Sequence, residues 1–285
     1  MKKLRIGIGQ LNSRDDIEEN FKNTENQIRE MVSQGARLVA FPEYATYLSQ
    51  RGSKAIAEPM TGSIVTRFKD LAKKYAVTIH NGSFIEKETD ALTQESQYFN
   101  TSLLISSEGE VLAKYRKIHL FDVDVEEGSS FRESDTFSGG NEIVTYDYEQ
   151  FTLGFSICYD LRFPDLYRAL TRQGAKIIFV PAAFTLFTGK DHWEALLRAR
   201  AIENQAYIVA PAQFGERPIH KTSFGNSMLI DPWGTVIQRA SDRVCTMVAD
   251  IDLEYLEHVR DHLPSLKNEV DINTLISSQG LKHKI

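Results

Sequence analysis

The sequence predicts an α/β protein in which helices cover the outer faces of buried sheets. Short apolar runs alternate with stretches of helical period along the chain. Several of these runs lack polar alternation, as is typical of strands that are buried on both faces. No Pro/Gly/Ser-rich linker, low-complexity segment or fixed-period repeat interrupts the pattern. We therefore predict a single domain over residues 1–285.

The first half of the chain contains five predicted strands and two predicted helices. The apolar residues between Ile17 and Met31 recur at helical spacing, and Gly35 follows them as a stop signal. The apolar run before Pro42 is short enough for a buried strand. The Glu108-Gly109 turn joins the last two strands of this half. The predicted strands cover residues 4–8, 38–41, 77–79, 101–105 and 111–115, and the helices cover 17–31 and 64–75.

The second half repeats the same alternation of strands and helices. The predicted strands lie near residues 151–157, 176–180, 207–210, 227–230 and 244–251, and the helices near 165–172, 191–204 and 253–262. From about residue 267 the sequence is polar and weakly periodic. This pattern is typical of a frayed terminus or of an arm that docks on a partner subunit.

Composition and charge exclude some classes of function. The chain is 42% hydrophobic and 25% charged, which is an ordinary globular balance. A net charge of -6 argues against binding to nucleic acid. No apolar run approaches the ~20 residues that a membrane span needs, so we expect no membrane partner.

The two cysteines, Cys158 and Cys245, bear on the compartment. They could form one disulfide, but they show no metal-type spacing and no secretory leader pattern precedes them. We therefore expect free thiols in a reducing cytoplasm. We also expect no metal site and no cofactor, because no ligand cluster and no complete dinucleotide or phosphate motif appears.

Two polar segments directly follow predicted strands. Glu43 comes after residues 38–41 and either faces solvent or is partly buried with a raised pKa, as a general base requires. Arg116, Lys117 and His119 are three potential cations after residues 111–115. They either hold an anion or form a solvated basic turn.

Cys158 lies between a predicted strand and a predicted helix start. A thiol at the N-terminal end of a helix has a lowered pKa and is reactive, whereas a small cysteine in the core is inert. The neighbouring Tyr159, Asp160 and Arg162 favour the reactive interpretation. Cys245 lies in an ordinary strand pattern, and we interpret it as a packing residue.

The order of Glu43, Lys117 and Cys158 is that of a known family. Their contexts, Phe-Pro-Glu, Tyr-Arg-Lys-Ile-His-Leu and Ile-Cys-Tyr-Asp-x-Arg-Phe-Pro, closely resemble the nitrilase (carbon–nitrogen hydrolase) superfamily. The resemblance extends to about Asn268. Residues 183–194, 197–205 and 231–234 resemble its omega-amidase and deaminated glutathione amidase branch.

The resemblance implies a fold, an assembly and catalytic roles. The fold would be a four-layer α-β-β-α sandwich, and the protein would form a homodimer or a larger homo-oligomer. Cys158 would be the nucleophile and Glu43 the general base, while Lys117 and the Tyr159 N–H would hold the oxyanion. Glu133 would orient Lys117, unless it is only a carboxylate of a surface loop. No cofactor is implied.

The resemblance also implies a small-molecule substrate. We expect hydrolysis of a terminal amide in a carboxylate-bearing metabolite with release of ammonia, and deaminated glutathione is the preferred substrate. The alternatives are 2-oxoglutaramate, an N-carbamoyl amino acid, or a binding protein without catalysis. Arg162 is the main candidate for holding a substrate carboxylate. Further candidates, each of which could instead be a core or surface residue, are Phe121, Phe184, Thr185 and His192.

Overall fold

A computed structural model describes residues 2–48, 53–126, 129–217 and 222–270. Its helices are α1 Ile17–Ser33, α2 Ser63–Tyr75, α3 Pro164–Arg172, α4 Leu186–Asn204 and α5 Leu253–His262. Its first strands are β1 Lys3–Gln10, β2 Leu38–Ala40, β3 Thr78–His80, β4 Phe84–Thr89, β5 Ser96–Ile105, β6 Val111–Arg116, β7 Asp122–Glu126 and β8 Ser129–Arg132. The others are β9 Thr145–Tyr148, β10 Phe151–Phe155, β11 Ile177–Phe179, β12 Tyr207–Ala210, β13 Phe214–Glu216, β14 Thr222–Phe224, β15 Met228–Ile230, β16 Val236–Arg239 and β17 Cys245–Asp252.

Two large sheets form the body of the structure. The first has the strand order β17-β1-β2-β3-β5-β4, and β6 also pairs with β5. Its strands β1, β2 and β3 are parallel, and β17 runs antiparallel to β1 from Lys3 opposite Asp252 to Gln10 opposite Cys245. The second sheet has the order β16-β15-β12-β11-β10-β9, with β10, β11 and β12 parallel. The parallel strands of each sheet therefore end at a common edge.

The two sheets pack face to face, and helices cover their outer faces. Strand β2 shows why its sequence is apolar throughout. Leu38 and Ala40 belong to the core between the sheets, whereas Val39 belongs to the core that α1 and α2 form on the other face. On the second sheet, α3 and α4 contribute Tyr167 and Trp193 to the core. The layer order is thus α-β-β-α, which confirms the predicted fold.

Most predicted elements are present with small shifts at their ends. Two are longer than predicted: β5 begins at Ser96, and α4 begins at Leu186 because the Thr185 side chain caps it by accepting a hydrogen bond from the Thr188 N–H. The sequence patterns missed six short strands, namely β4, β7, β8, β9, β13 and β16. They also missed β14, which pairs with β13.

The remaining predictions have mixed outcomes. Cys158 and Cys245 are both free, so the disulfide alternative is wrong. Residues 271–285, most of the predicted C-terminal arm, lie outside the described residues. Within the part that is described, Glu269 pairs with Arg172 on α3 at 2.9 Å. No helix among the described residues is long and apolar enough to cross a bilayer.

Candidate active site

Glu43, Lys117 and Cys158 lie around one cavity of about 350 Å³. Glu43 lies three residues after β2, Lys117 directly follows β6, and Cys158 lies three residues after β10. Two large sheets that pack face to face bring these strand ends together from distant parts of the sequence. Glu133, from the short 3₁₀ turn Glu133–Asp135, lines the same cavity.

The Glu43 carboxylate is buried and held at both oxygens. Only 2% of Glu43 is exposed. Its Oε1 accepts hydrogen bonds from Asn100 Nδ2 at 2.9 Å and from Lys117 Nζ at 3.2 Å. Its Oε2 accepts from the Ala183 N–H at 3.0 Å. The solvent-facing alternative for Glu43 is therefore wrong.

The Lys117 ammonium lies between two carboxylates. Its Nζ is 3.2 Å from Glu43 Oε1 and 2.8 Å from Glu133 Oε2. Burial works to lower the pKa of Lys117, but Glu133 and Glu43 outweigh it and raise the pKa well above its ordinary value. Lys117 is therefore a fixed positive charge in the wall of the cavity.

Arg116 and His119, the other two basic residues of this segment, have partners outside the cavity. Arg116 forms a bidentate pair with the buried Glu86 through Nε and Nη2, each at 2.8 Å. His119 Nδ1 is 2.7 Å from Asp160 Oδ1. The interpretation as a solvated basic turn is thus wrong for Lys117, which lines the cavity. Arg116 and His119 instead bind the carboxylates of Glu86 and Asp160.

Glu133 connects Lys117 to the loop that follows β6. Its Oε2 accepts hydrogen bonds from Lys117 Nζ at 2.8 Å and from the Phe121 N–H at 2.6 Å. Its Oε1 accepts from the Tyr44 hydroxyl at 3.2 Å. With 10% of its side chain exposed, Glu133 is not a surface-loop carboxylate.

Cys158 occupies a strained turn that Asp160 holds in place. The φ of Cys158 is 49°, a left-handed value that is uncommon outside glycine and recurs at functional sites. Its own N–H donates to the Pro181 carbonyl at 2.9 Å. The buried Asp160 carboxylate accepts hydrogen bonds from the Ile157 N–H at 2.8 Å and from the Tyr115 hydroxyl at 2.7 Å. The turn is thereby fixed from both the strand and the core.

The prediction of a lowered pKa for Cys158 is wrong. The turn Cys158–Arg162 is a five-residue 3₁₀ helix, and α3 begins only at Pro164. Burial and the Glu43 charge raise the pKa of Cys158 well above its ordinary value, although Lys117 and the Ala183 N–H work in the opposite direction. The resting site therefore holds a protonated thiol beside a carboxylate.

The predicted substrate-binding residues lie in two places. Phe121, Arg162, Phe184 and Thr185 line the cavity, as does Tyr159, which was predicted to help hold the oxyanion. Phe121 packs edge-on against Tyr159, with 5.1 Å between ring centroids. His192 is exposed on α4 outside the cavity lining, and its Nδ1 is 3.3 Å from Arg162 Nη1.

Several residues at the site were not found from the sequence, among them Tyr44, Asn100 and Arg217. Tyr44 follows Glu43 directly and also has a left-handed φ, of 57°. Asn100 Nδ2 donates to Glu43 Oε1 and, at 3.0 Å, to the Tyr44 hydroxyl. Arg217 lines the cavity from the chain after β13. The only available signal was Asn100, a polar residue beside the buried strand pattern of residues 101–105.

Chemically, the site combines a nucleophile, a proton acceptor and a fixed cation. The thiol and the Glu43 carboxylate line the same cavity and interact, so a proton can pass between them. Lys117 supplies positive charge where water is largely excluded, which strengthens its effect on a developing oxyanion. This arrangement suits acyl transfer.

Comparison with known proteins agrees with the geometry. The model of the carbon-nitrogen hydrolase family matches residues 5–261. The deaminated glutathione amidase of Dictyostelium discoideum is 42% identical over 273 residues, and the match covers 93% of each chain.

Solved structures show the same fold. The C. elegans NitFhit protein superposes with a TM-score of 0.85 at 34% identity, covering 94% of this chain and 65% of that one. Saccharomyces cerevisiae Nit3, a member of the nitrilase superfamily, gives 0.81 at 27% identity, covering 92% of this chain and 95% of that one. The chain belongs to the carbon–nitrogen hydrolase family of the nitrilase superfamily.

Proposed function

We propose that the protein is a cysteine amidase in which Cys158, Glu43 and Lys117 perform the reaction and Glu133 positions Lys117. The observation that carries this proposal is the buried chain of hydrogen bonds from Glu43 through Lys117 to Glu133 beside the Cys158 thiol. Burying three charges costs free energy, and well-packed apolar residues would stabilise the fold equally well. A purely structural role therefore does not explain these three residues. Ionisable groups with shifted pKa values that cluster in a cavity are typical of active sites.

In the first half of the reaction, Cys158 Sγ attacks the amide carbonyl carbon and Glu43 accepts the thiol proton. Because the resting thiol is protonated, proton transfer accompanies attack instead of preceding it. Lys117 Nζ and the Tyr159 N–H stabilise the oxyanion of the tetrahedral intermediate. Glu43 then gives the proton to the departing nitrogen, and the C–N bond breaks to leave a thioester on Cys158.

In the second half, water replaces the amine as the group next to Glu43. Glu43 accepts a proton from the water as its oxygen attacks the thioester carbonyl carbon. The C–S bond breaks, the carboxylic acid leaves, and the proton on Glu43 returns to Cys158 Sγ. No cofactor takes part in either half.

We propose deaminated glutathione as the substrate, since the relative from Dictyostelium discoideum is named for that activity. This molecule carries carboxylates at both ends, and its amides are substituted, so its leaving group is an amine. The release of ammonia expected from the sequence is therefore wrong for this substrate. A terminal amide such as 2-oxoglutaramate would release ammonia instead. Arg162 lines the cavity and can hold a carboxylate of either substrate.

The direct test is a substrate panel ranked by kcat/KM. It contains deaminated glutathione, 2-oxoglutaramate, succinamate and N-carbamoyl amino acids, with release of amine and of ammonia measured separately. We expect deaminated glutathione to lead without added metal or cofactor. A lead for 2-oxoglutaramate would make the protein an omega-amidase, and a lead for N-carbamoyl acids would refute the amidase assignment.

We further propose a cytoplasmic homodimer or larger homo-oligomer acting on free small molecules. Free thiols at Cys158 and Cys245 are consistent with a reducing compartment. Large apolar side chains such as Trp233, which is 57% exposed, are consistent with a further contact surface. Sedimentation of the purified protein would give the number of subunits.

A further inference from the structure

The cavity contains more positive charge than the proposed chemistry uses. Its basic lining residues are Lys117, Arg132, Arg162 and Arg217. Lys117 lies between the two buried carboxylates, and Arg132 pairs with Asp124 at 2.8 Å. Across residues 2–48, 53–126, 129–217 and 222–270, no carboxylate lies within ion-pair distance of Arg162 or Arg217. Two cationic groups therefore face the cavity without an acidic partner in that part of the chain.

Arg217 is bound only to neutral groups in this part of the structure. Its Nε donates to the Ser223 hydroxyl, and its Nη2 donates to the Ala183 carbonyl. Burial lowers the pKa of Arg217, although the charge of Glu43 opposes this effect. A guanidinium stays protonated in proteins, so Arg217 is a partly buried cation. Such a group costs free energy unless an anion compensates it, and a ligand can supply that anion.

Arg217 has enough unused N–H donors to bind a carboxylate. A guanidinium has five N–H groups, and two of those on Arg217 are accounted for by Ser223 and Ala183. Both hydrogens on Nη1 and one on Nη2 have no acceptor among the described residues. Adjacent N–H groups on two nitrogens bind the two oxygens of a carboxylate in parallel.

A short chain of hydrogen bonds places Arg217 on the Glu43 side of the cavity. Its Nη2 binds the carbonyl of Ala183, and the N–H of the same residue binds Glu43 Oε2 at 3.0 Å. In the proposed reaction, Glu43 hands a proton to the departing nitrogen. The leaving half of the substrate therefore lies on this side. Arg162, which contacts the rings of Tyr159 and Phe184, is available for the acyl half.

We propose that Arg217 binds a carboxylate carried by the leaving half of the substrate, and that the enzyme thereby selects amides whose departing amine is itself an acid. This inference rests on the proposed amidase function. In deaminated glutathione the group in question is the carboxylate of the terminal glycine. A small amide that releases ammonia offers no such group to Arg217.

The test compares two substrates that differ only in this charge. One is deaminated glutathione, and the other is its analogue with a terminal glycinamide. In the wild-type enzyme, we expect kcat/KM to favour the carboxylate roughly 10- to 100-fold, the usual worth of a hydrogen-bonded charge. In Arg217→Gln the ratio should fall to about one, mostly through KM. Arg162→Gln is the matched control, and it should lower both rates while it keeps the preference.

The ratio of two rates on one preparation does not depend on how much of the protein is folded. A merely structural role for Arg217 would therefore leave it unchanged. Arg217→Lys, which keeps the positive charge but loses the paired N–H groups of the guanidinium, should retain part of the preference for the carboxylate substrate. A wild-type enzyme that cleaves both substrates equally, or an Arg217→Gln variant that keeps the wild-type ratio, would overturn the inference. Failure of the proposed function is distinct, because the wild-type enzyme would then cleave neither substrate.

Discussion

At the scale of single residues, the thiol of Cys158 and the carboxylate of Glu43 determine how the reaction begins. The raised pKa of Cys158 means that the thiolate is not stored in the resting enzyme. Glu43 must therefore act as an acceptor during attack, and its two oxygens are already oriented by Asn100, Lys117 and Ala183. A site of this kind reacts when a substrate carbonyl is in position and leaves other electrophiles largely untouched.

This account predicts the sign of a pKa change. A negative charge next to a thiol disfavours the thiolate, so Glu43→Gln should lower the pKa of Cys158 while it also lowers turnover. The measurement is a pH titration of ultraviolet thiolate absorbance in a Cys245→Ser background, which leaves one thiol to observe. An unchanged or higher midpoint in Glu43→Gln would contradict the proposed pairing of thiol and carboxylate.

At the scale of elements, the turn Cys158–Arg162 is held by a single buried carboxylate. Asp160 is 0% exposed and accepts hydrogen bonds from Ile157 and Tyr115, and from the backbone and ring of His119. The His119 ring stacks on Phe163, with 3.7 Å between centroids, which fixes the far end of the turn. The strained φ of Cys158 is thus imposed by surrounding structure and not by its own preference.

Asp160→Asn should therefore lower kcat more than it raises KM. The amide loses the negative charge that several donors share, and a displacement of the nucleophile by about 1 Å can cost on the order of 10²-fold in rate. Tyr115→Phe is the matched control, because it removes one donor and leaves the carboxylate. Steady-state kinetics on both variants would decide, and equal losses in the two would contradict the special role of Asp160.

At the scale of the whole molecule, His80 connects the two sheets. It lies on β3 of the first sheet and stacks on Phe155 and Phe179 of the second, at 5.8 and 4.5 Å between centroids. Its Nε2 is 3.1 Å from the Ser102 hydroxyl, and its Nδ1 accepts from the Gly82 N–H at 3.3 Å. Burial lowers the pKa of His80 to about 3. The imidazole is therefore neutral in the folded protein at any pH near neutrality.

The neutral state of His80 gives a pH dependence of stability. Below a pH of about 6.5 the unfolded chain binds a proton on His80 that the folded chain excludes, so acid favours unfolding. As the pH falls from about 6 to about 4, protonation of His80 in the unfolded chain should lower the free energy of unfolding by roughly 1.4 kcal/mol per pH unit. Urea titrations would show this slope reduced in His80→Asn and retained in the control His258→Gln, whose ring lies on the exposed face of α5. Equal slopes in all three proteins would refute this explanation.

The sequence predicted the fold better than the contacts inside it. Periodicity located β1 and α2, because one face of the strand and one face of the helix are apolar along their length. The layer order came from the resemblance, since no local pattern says which sheet faces which. Asn100 was missed because a strand pattern does not show that its side chain will meet Glu43, 57 residues away. Arg217 was missed because its local sequence does not show that it lines the cavity. The Cys158 pKa was predicted in the wrong direction, because a sequence does not show how deeply the thiol is buried. The single domain, the C-terminal arm and the subunit number stay predictions.

The central claim is that Cys158 carries the acyl group, and the turnover of Cys158→Ala tests it most directly. The variant is measured on deaminated glutathione beside Cys245→Ala, which removes the other thiol, with thermal unfolding as the check on folding. We expect Cys158→Ala to stay folded and to lose at least roughly 10³-fold in kcat/KM, because no other group can form the thioester. We expect Cys245→Ala to keep wild-type activity. A folded Cys158→Ala enzyme within tenfold of the wild-type rate would contradict the account.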